Sequence, residues 1–105
     1  MLVVTTPIIE GKKIVEYKGP VFVQVTEGAG FGRGLSAAFR SFVSGRSTMH
    51  EEMIIKTREI AMHEIQEEAR KLGANAIVGL MLDYETMGQD SILMFKGTGT
   101  AVVIE

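Results

Sequence analysis

Residues 47–73 read STMHEEMIIKTREIAMHEIQEEARKLG, and this long helical pattern organises the interpretation of the rest of the chain. Thr48 and Glu51 have the spacing of a capping box, and Ser47 is an equally good N-cap. Gly73 follows a basic last turn, which predicts a left-handed C-cap. Between the caps, apolar residues recur at spacings of three, four and seven and predict one buried face: Ile54, Ala61, Ile65, Ala69 and Leu72.

Two charged residues of this helix, Glu51 and Arg58, fall on its predicted apolar face. Because stripping a charge of its water costs several kcal/mol, such residues are normally paired. We therefore expect Arg58 to be buried and bonded to Glu51, to backbone carbonyls or to an acidic group of a neighbouring subunit, with Arg46 joining them.

A second apolar streak in the first half of the helix points away from the main face. It indicates contact with a second surface, which can belong to another subunit, and consists of Met49, Met53 and Ile60.

The chain has 105 residues, no cysteine and a formal net charge of −2. This length predicts one domain, residues 1–105, able to bury roughly two-thirds of its unfolded surface. The lack of cysteine excludes disulfides and thiolate metal sites and suits a reducing compartment. The charge balance argues against nucleic acid as a partner, and no stretch is apolar enough for a membrane span. We expect a cytoplasmic location, since the first residues lack the pattern of a signal peptide.

Strand patterns flank the helix on both sides. Residues 2–6 and 14–26 predict two strands, with a bend, bulge or sheet edge at Gly19-Pro20. Residues 76–84 are apolar on both faces, which predicts a strand covered on both sides. We expect a turn at 86–90 and a last strand at 91–104, in which Gly97, Gly99 and Ala101 form a small face that the helix crosses.

A glycine-rich segment, EGAGFGRG at 27–34, lies between the second strand and a short amphipathic helix predicted at 35–43. The order ββααββ predicts an α+β domain, with one long and one short helix on one face of a small antiparallel sheet.

Several ordered phrases make the chain resemble the bacterial YbjQ-like family over nearly its whole length. They are Thr5-Thr6, IEGKKIVEYKG at 9–19, Gly45-Arg46-Ser47, REIA at 58–61, LGANAIVG at 72–79, Asp83-Tyr84-Glu85 and GTAV at 99–102. The chain departs from the commoner Gly-Gly-Arg-Ser of the family by having Ser44 before Gly45. The resemblance implies a fold similar to dodecin subunits, assembly into a ring-shaped homopentamer and a heavy-metal-binding description that is itself an inference. It implies no catalytic residues.

Metal binding is the first site hypothesis. His63 with Glu59 and Glu67 places imidazole and carboxylate groups four residues apart along one helix face, a spacing compatible with a divalent ion such as zinc or nickel. His50 with Glu51 is a second fragment. The alternative is that His63 is an ordinary surface histidine.

Anion or nucleotide binding is the second hypothesis. Backbone amides of a glycine loop between strand and helix can cradle phosphate, so we name Gly28, Gly30, Gly32 and Arg33. The spacing matches neither a dinucleotide nor a nucleotide-triphosphate loop, and a loop that contacts another subunit is the alternative.

An enzymatic hypothesis rests on Asp83, Tyr84 and Glu85 at the predicted end of a strand, where a carboxylate could act as acid or base; the alternative is a polar turn. We favour a homo-oligomeric binding or structural protein with an unknown ligand over an enzyme. The competing interpretation is a catalytic or nucleotide-binding ring that uses residues 28–34.

Overall fold

The computed structural model describes residues 1–28, 47–87 and 92–105, with helix side chains described from residue 51 onward. The elements are β1 (Leu2–Val3), β2 (Ile14–Gly28), α1 (Ser47–Lys71), β3 (Ala76–Met87) and β4 (Ile92–Ile104). The α+β class and the long helix are confirmed. The short helix predicted at 35–43 lies outside the described residues.

The four strands form one mixed sheet in the order β1-β3-β4-β2. The central strand β4 pairs antiparallel with β2 and β3, whereas β1 pairs parallel with β3. The prediction of an antiparallel sheet was therefore wrong at β1. Val4, Ile9 and Ile14 pack across one sheet face at this end, so the segment from β1 to β2 crosses the sheet instead of turning back as a hairpin.

The predicted irregularity at Gly19-Pro20 is confirmed. β2 is an edge strand in the described sheet, and its register with β4 shifts between Tyr17 and Gly19. Gly19 has a φ of 118°, a conformation that favours glycine. An edge and a bulge are the positions where a sheet tolerates proline, because proline has no amide hydrogen for the ladder.

Helix α1 lies across one face of the sheet, which we call the helix face. Its buried residues recur at every fourth position: Met53, Thr57, Ala61, Ile65 and Ala69. Four residues exceed one helical turn by about 40°, so this row winds slowly around the helix. The predicted apolar face was wrong in part, because Leu72 is 43% exposed. Met53 and Ile60, which were predicted to point away from that face, pack in the core beneath the helix.

The small residues of β4 lie beneath this helix, as predicted: Gly97, Gly99 and Ala101 are all buried. Side chains of the flanking strands lean over the two glycines. A Cβ atom built on Gly99 would lie 2.7 Å from Cγ2 of Ile77, and one on Gly97 would lie 2.8 Å from Cδ1 of Leu82. Glycine at these positions therefore lets the neighbouring strands contribute their larger side chains to the core.

Strand β3 is covered on both faces only in its first half. Ala76 and Val78 pack against the N-terminal segment on one side, and Ile77 packs on the helix face. Beyond the bulge after Val78, Met81 is 72% exposed. The prediction of two covered faces thus holds for the first residues, where the chain supplies both covers itself.

Helix α1 ends as predicted. Gly73 has a φ of 88°, and its amide donates to the carbonyl of Arg70 at 2.9 Å. Asn75 then joins the helix end to the sheet, because its side chain donates to the carbonyl of Ile104 and accepts from the amide of the same residue. In the described part of the chain, no helix has the length and apolar content needed to cross a membrane.

Candidate functional site

The glycine-loop hypothesis falls largely outside the described residues. Gly28 is the last residue of β2, is buried and has a φ of 153°. Gly30, Gly32, Arg33 and Arg46 lie in the range 29–46, which is not described. Anion binding by this loop stays a prediction.

The described residues of a single chain do not complete the metal site predicted on the helix. His63 and Glu59 are exposed, while Glu67 is half-buried and forms an ion pair with Arg70. Among residues 1–28, 51–87 and 92–105, no three His, Asp or Glu side chains converge to hold a metal ion. A complete site at His63 would therefore need donors from elsewhere, and it stays a prediction.

The predicted burial of Arg58 was wrong within a single chain, since the side chains of Arg58 and of Glu51, its proposed partner, are both exposed. The described ion pairs of the helix instead join Arg70 to Glu67 and Lys71 to Glu68. The winding of the buried row explains the error. It runs along Met53 and Thr57 near the start of the helix, which leaves Arg58 off the contact line. A bond from Arg58 to a neighbouring subunit stays a prediction.

Asp83, Tyr84 and Glu85 lie within β3 rather than at its end, because the strand continues to Met87. Tyr84 stacks on Phe95 with ring centroids 5.1 Å apart, and Glu85 pairs with Lys96 at 3.3 Å. Asp83 accepts a hydrogen bond from the Tyr84 amide at 2.8 Å. These contacts give the three residues roles in the sheet surface and none of them points to acid–base chemistry.

The structure reveals a surface that the sequence reasoning missed, on the sheet face opposite the helix. We call it the open face and define it by Phe22, Gln24, Met81, Asp83, Lys96 and Thr98. Phe22, Thr98 and Met81 form a row across three strands, because Thr98 pairs with Phe22 on one side and with Met81 on the other. Phe22 is 67% exposed and Met81 is 72% exposed.

Two shallow hollows of ≈ 300 Å³ and ≈ 330 Å³ flank Thr98 on the open face, one beside Phe22 and one beside Met81. The strict alternation of 21–25, with valines at 21, 23 and 25, was the signal for this surface, since it directs Phe22 away from the helix.

Glu27 is a further polar residue that the sequence reasoning did not single out. It lies opposite Leu93 in the β2–β4 register, near the edge of the core. Its Oε1 atom is buried and has no hydrogen-bond partner in the part of the chain that the structure describes. Burial removes water from this carboxylate and raises its pKa above the ordinary value of 4.5.

The whole chain, residues 1–105, matches the model of the YbjQ family, which is described as "Putative heavy-metal-binding". UPF0145 proteins from Listeria monocytogenes and Listeria innocua are each 46% identical over 106 residues, which cover 100% of this chain and 96% of theirs. Their names state no ligand and no reaction.

A crystal structure of a protein of unknown function from Pediococcus pentosaceus, assigned to the DUF74 family, has a similar fold. The TM-score is 0.67 at 20% identity, and the match covers 100% of this chain and 98% of the other. At this identity the likeness concerns the fold alone.

Proposed function

Because the chain belongs to the YbjQ family, we propose that it is the subunit of a homo-oligomeric binding protein, a ring-shaped homopentamer of dodecin-like subunits. In this proposal the oligomer presents a site for a metal ion or a small molecule between subunits. The number five comes from the family resemblance. The surface of the single chain supports assembly.

The open face is the observation that carries the proposal. In its row of Phe22, Thr98 and Met81, two large apolar side chains lie in one line across the sheet. The exposed fraction is 67% for Phe22 and 72% for Met81. Single exposed apolar residues are common on protein surfaces, whereas large apolar side chains grouped on one sheet face beside charged residues fit an interaction site. Asp83 and Lys96 provide that rim.

The sheet edges support assembly independently. In the described part of the chain, residues 14–27 of β2 pair only with β4, and residues 81–85 of β3 pair only with β4. These edges lie on opposite sides of the sheet. Unpaired edges are templates for further strand pairing. If one edge contacts the opposite edge of a second copy, the two subunits contribute different surfaces to the interface. Such a head-to-tail contact generates a closed ring when the rotation from each subunit to the next adds up to a full turn.

Light scattering coupled to size exclusion tests the assembly. We expect the scattering mass at micromolar concentration to be about five times the chain mass of 11.5 kDa. A monomer would overturn the proposal of an oligomer, and a defined oligomer of another size would overturn the homopentamer.

A further inference from the structure

We propose that Met87 and Met94, together with Glu85, bind a soft monovalent metal ion of the Cu(I) class at the far end of the sheet. This proposal rests on the proposed function in one respect, because it takes the metal-binding description of the family to hold for this chain. It uses residues different from the His63 set and does not require the homopentamer.

The strand register brings the three side chains together. Met94 on β4 lies directly opposite Glu85 on β3, and Met87 lies opposite Ile92. Met87 is therefore the diagonal neighbour of Met94, and all three residues lie on the sheet face opposite the helix. Directly paired residues have Cβ atoms about 5 Å apart, and diagonal neighbours remain within reach of long side chains. Methionine is long and unbranched, so its sulfur can adjust to a shared ion.

The donor set favours one class of metal. Thioether sulfur is a soft ligand that selects Cu(I), whereas harder divalent ions prefer carboxylate and imidazole groups. The chain has seven methionines and no cysteine, so its soft donors are thioethers. Glu85 would supply a negative charge beside the two neutral sulfurs once the bound cation displaces Lys96, whose Nζ lies 3.3 Å from the Glu85 carboxylate.

The accessibility of the two methionines fits a binding role. Met87 is 38% exposed and Met94 is half-buried, so an ion can reach both without unfolding of the core. Met53, by contrast, is 6% exposed and is occupied by packing under the helix. Met81 is on the same face but lies opposite Thr98 and has no methionine as a direct or diagonal partner on β4. It therefore provides a matched control.

The test is a titration of the intact protein, labelled with ¹³C at its methionine methyl groups, with Ag(I) nitrate in chloride-free buffer. Ag(I) has the charge and softness of Cu(I) and avoids its oxidation. We expect the methyl resonances of Met87 and Met94 to shift together with saturation, while that of Met81 stays unchanged. Calorimetry should show that Met87→Leu and Met94→Leu each weaken Ag(I) binding at least about tenfold, because each removes a sulfur donor.

Leucine preserves most of the methionine volume, so the variants should remain folded. Met81→Leu should bind Ag(I) as the parent does. Unshifted Met87 and Met94 resonances, or equal affinity in their leucine variants, would overturn the site. Light scattering on the same samples separates this result from the oligomer proposal, since loss of Ag(I) binding in an intact oligomer rejects only the thioether site.

Discussion

At the scale of single residues, Glu27 makes the stability of the fold depend on pH. Its raised pKa means that the folded chain holds this proton more tightly than the unfolded chain does. Ionised Glu27 therefore destabilises the fold. The penalty is absent below the unfolded pKa, grows as pH rises from about 4.5 through the raised folded value, and is fully present above it.

We predict that Glu27→Gln stabilises the protein at neutral pH and gives no gain below about pH 4. The gain should be less than about 1 kcal/mol, because the half-buried side chain retains part of its water. Urea unfolding of parent and variant at several pH values measures it. A gain of Glu27→Gln that is equal at acid and neutral pH would refute desolvation of the carboxylate as its cause.

At the scale of the helix, two adjacent residues lie in opposite environments. Thr57 is fully buried, and its hydroxyl donates to the carbonyl of Met53 at 2.7 Å. Arg58, the next residue, is exposed. The boundary between core and solvent thus passes between them, which is a direct consequence of the winding row of contacts along α1.

If Arg58 has no partner in a neighbouring subunit, Arg58→Ala should change the free energy of unfolding by no more than about 0.5 kcal/mol. Thr57→Arg should cost at least about 3 kcal/mol, because it places an unpaired charge in the core. Denaturant unfolding at equal protein concentration compares the two. A loss of about 3 kcal/mol for Arg58→Ala would instead show that Arg58 is paired with an acidic group of a neighbouring subunit.

At the scale of the whole molecule, the proposed assembly assigns a role to the exposed apolar residues of the open face. If the open face contributes to assembly, replacing its apolar residues should weaken association more than it weakens folding. Phe22 and Met81 are suitable positions, because their side chains contact mainly solvent in the single chain. The matched control is Ile55, which is 45% exposed on the helix.

We predict that Phe22→Ser combined with Met81→Ser shifts the scattering mass toward the monomer at micromolar concentration, with circular dichroism unchanged. Truncation of apolar anchors at the centre of an interface costs about 2 kcal/mol or more each. Ile55→Ser should leave the mass of the oligomer unaltered. An unchanged oligomer in the double variant would place the contact elsewhere, and the strand edges would then be the next candidates.

The sequence by itself determined the features that depend on neighbouring residues. The span of the helix follows from its periodicity and from Gly73, and the bulged edge strand follows from Gly19-Pro20. The small face of β4 follows from Gly97 and Gly99. In each case the physical cause, a backbone conformation or a missing side chain, is local, so the pattern was sufficient. The family resemblance was also confirmed over the whole chain.

The tertiary structure alone decided which surfaces meet. The position of Arg58 depended on the direction in which the helix crosses a twisted sheet, and the pairing of β1 depended on the path of the N-terminal segment. The candidate sites were even less predictable. Exposure of Met81 and the proximity of Met87 to Met94 result from register between distant strands. The alternation of side chains in the sequence predicts which face of the sheet a residue occupies. It does not predict which residues of the neighbouring strand lie beside it, because that depends on the register.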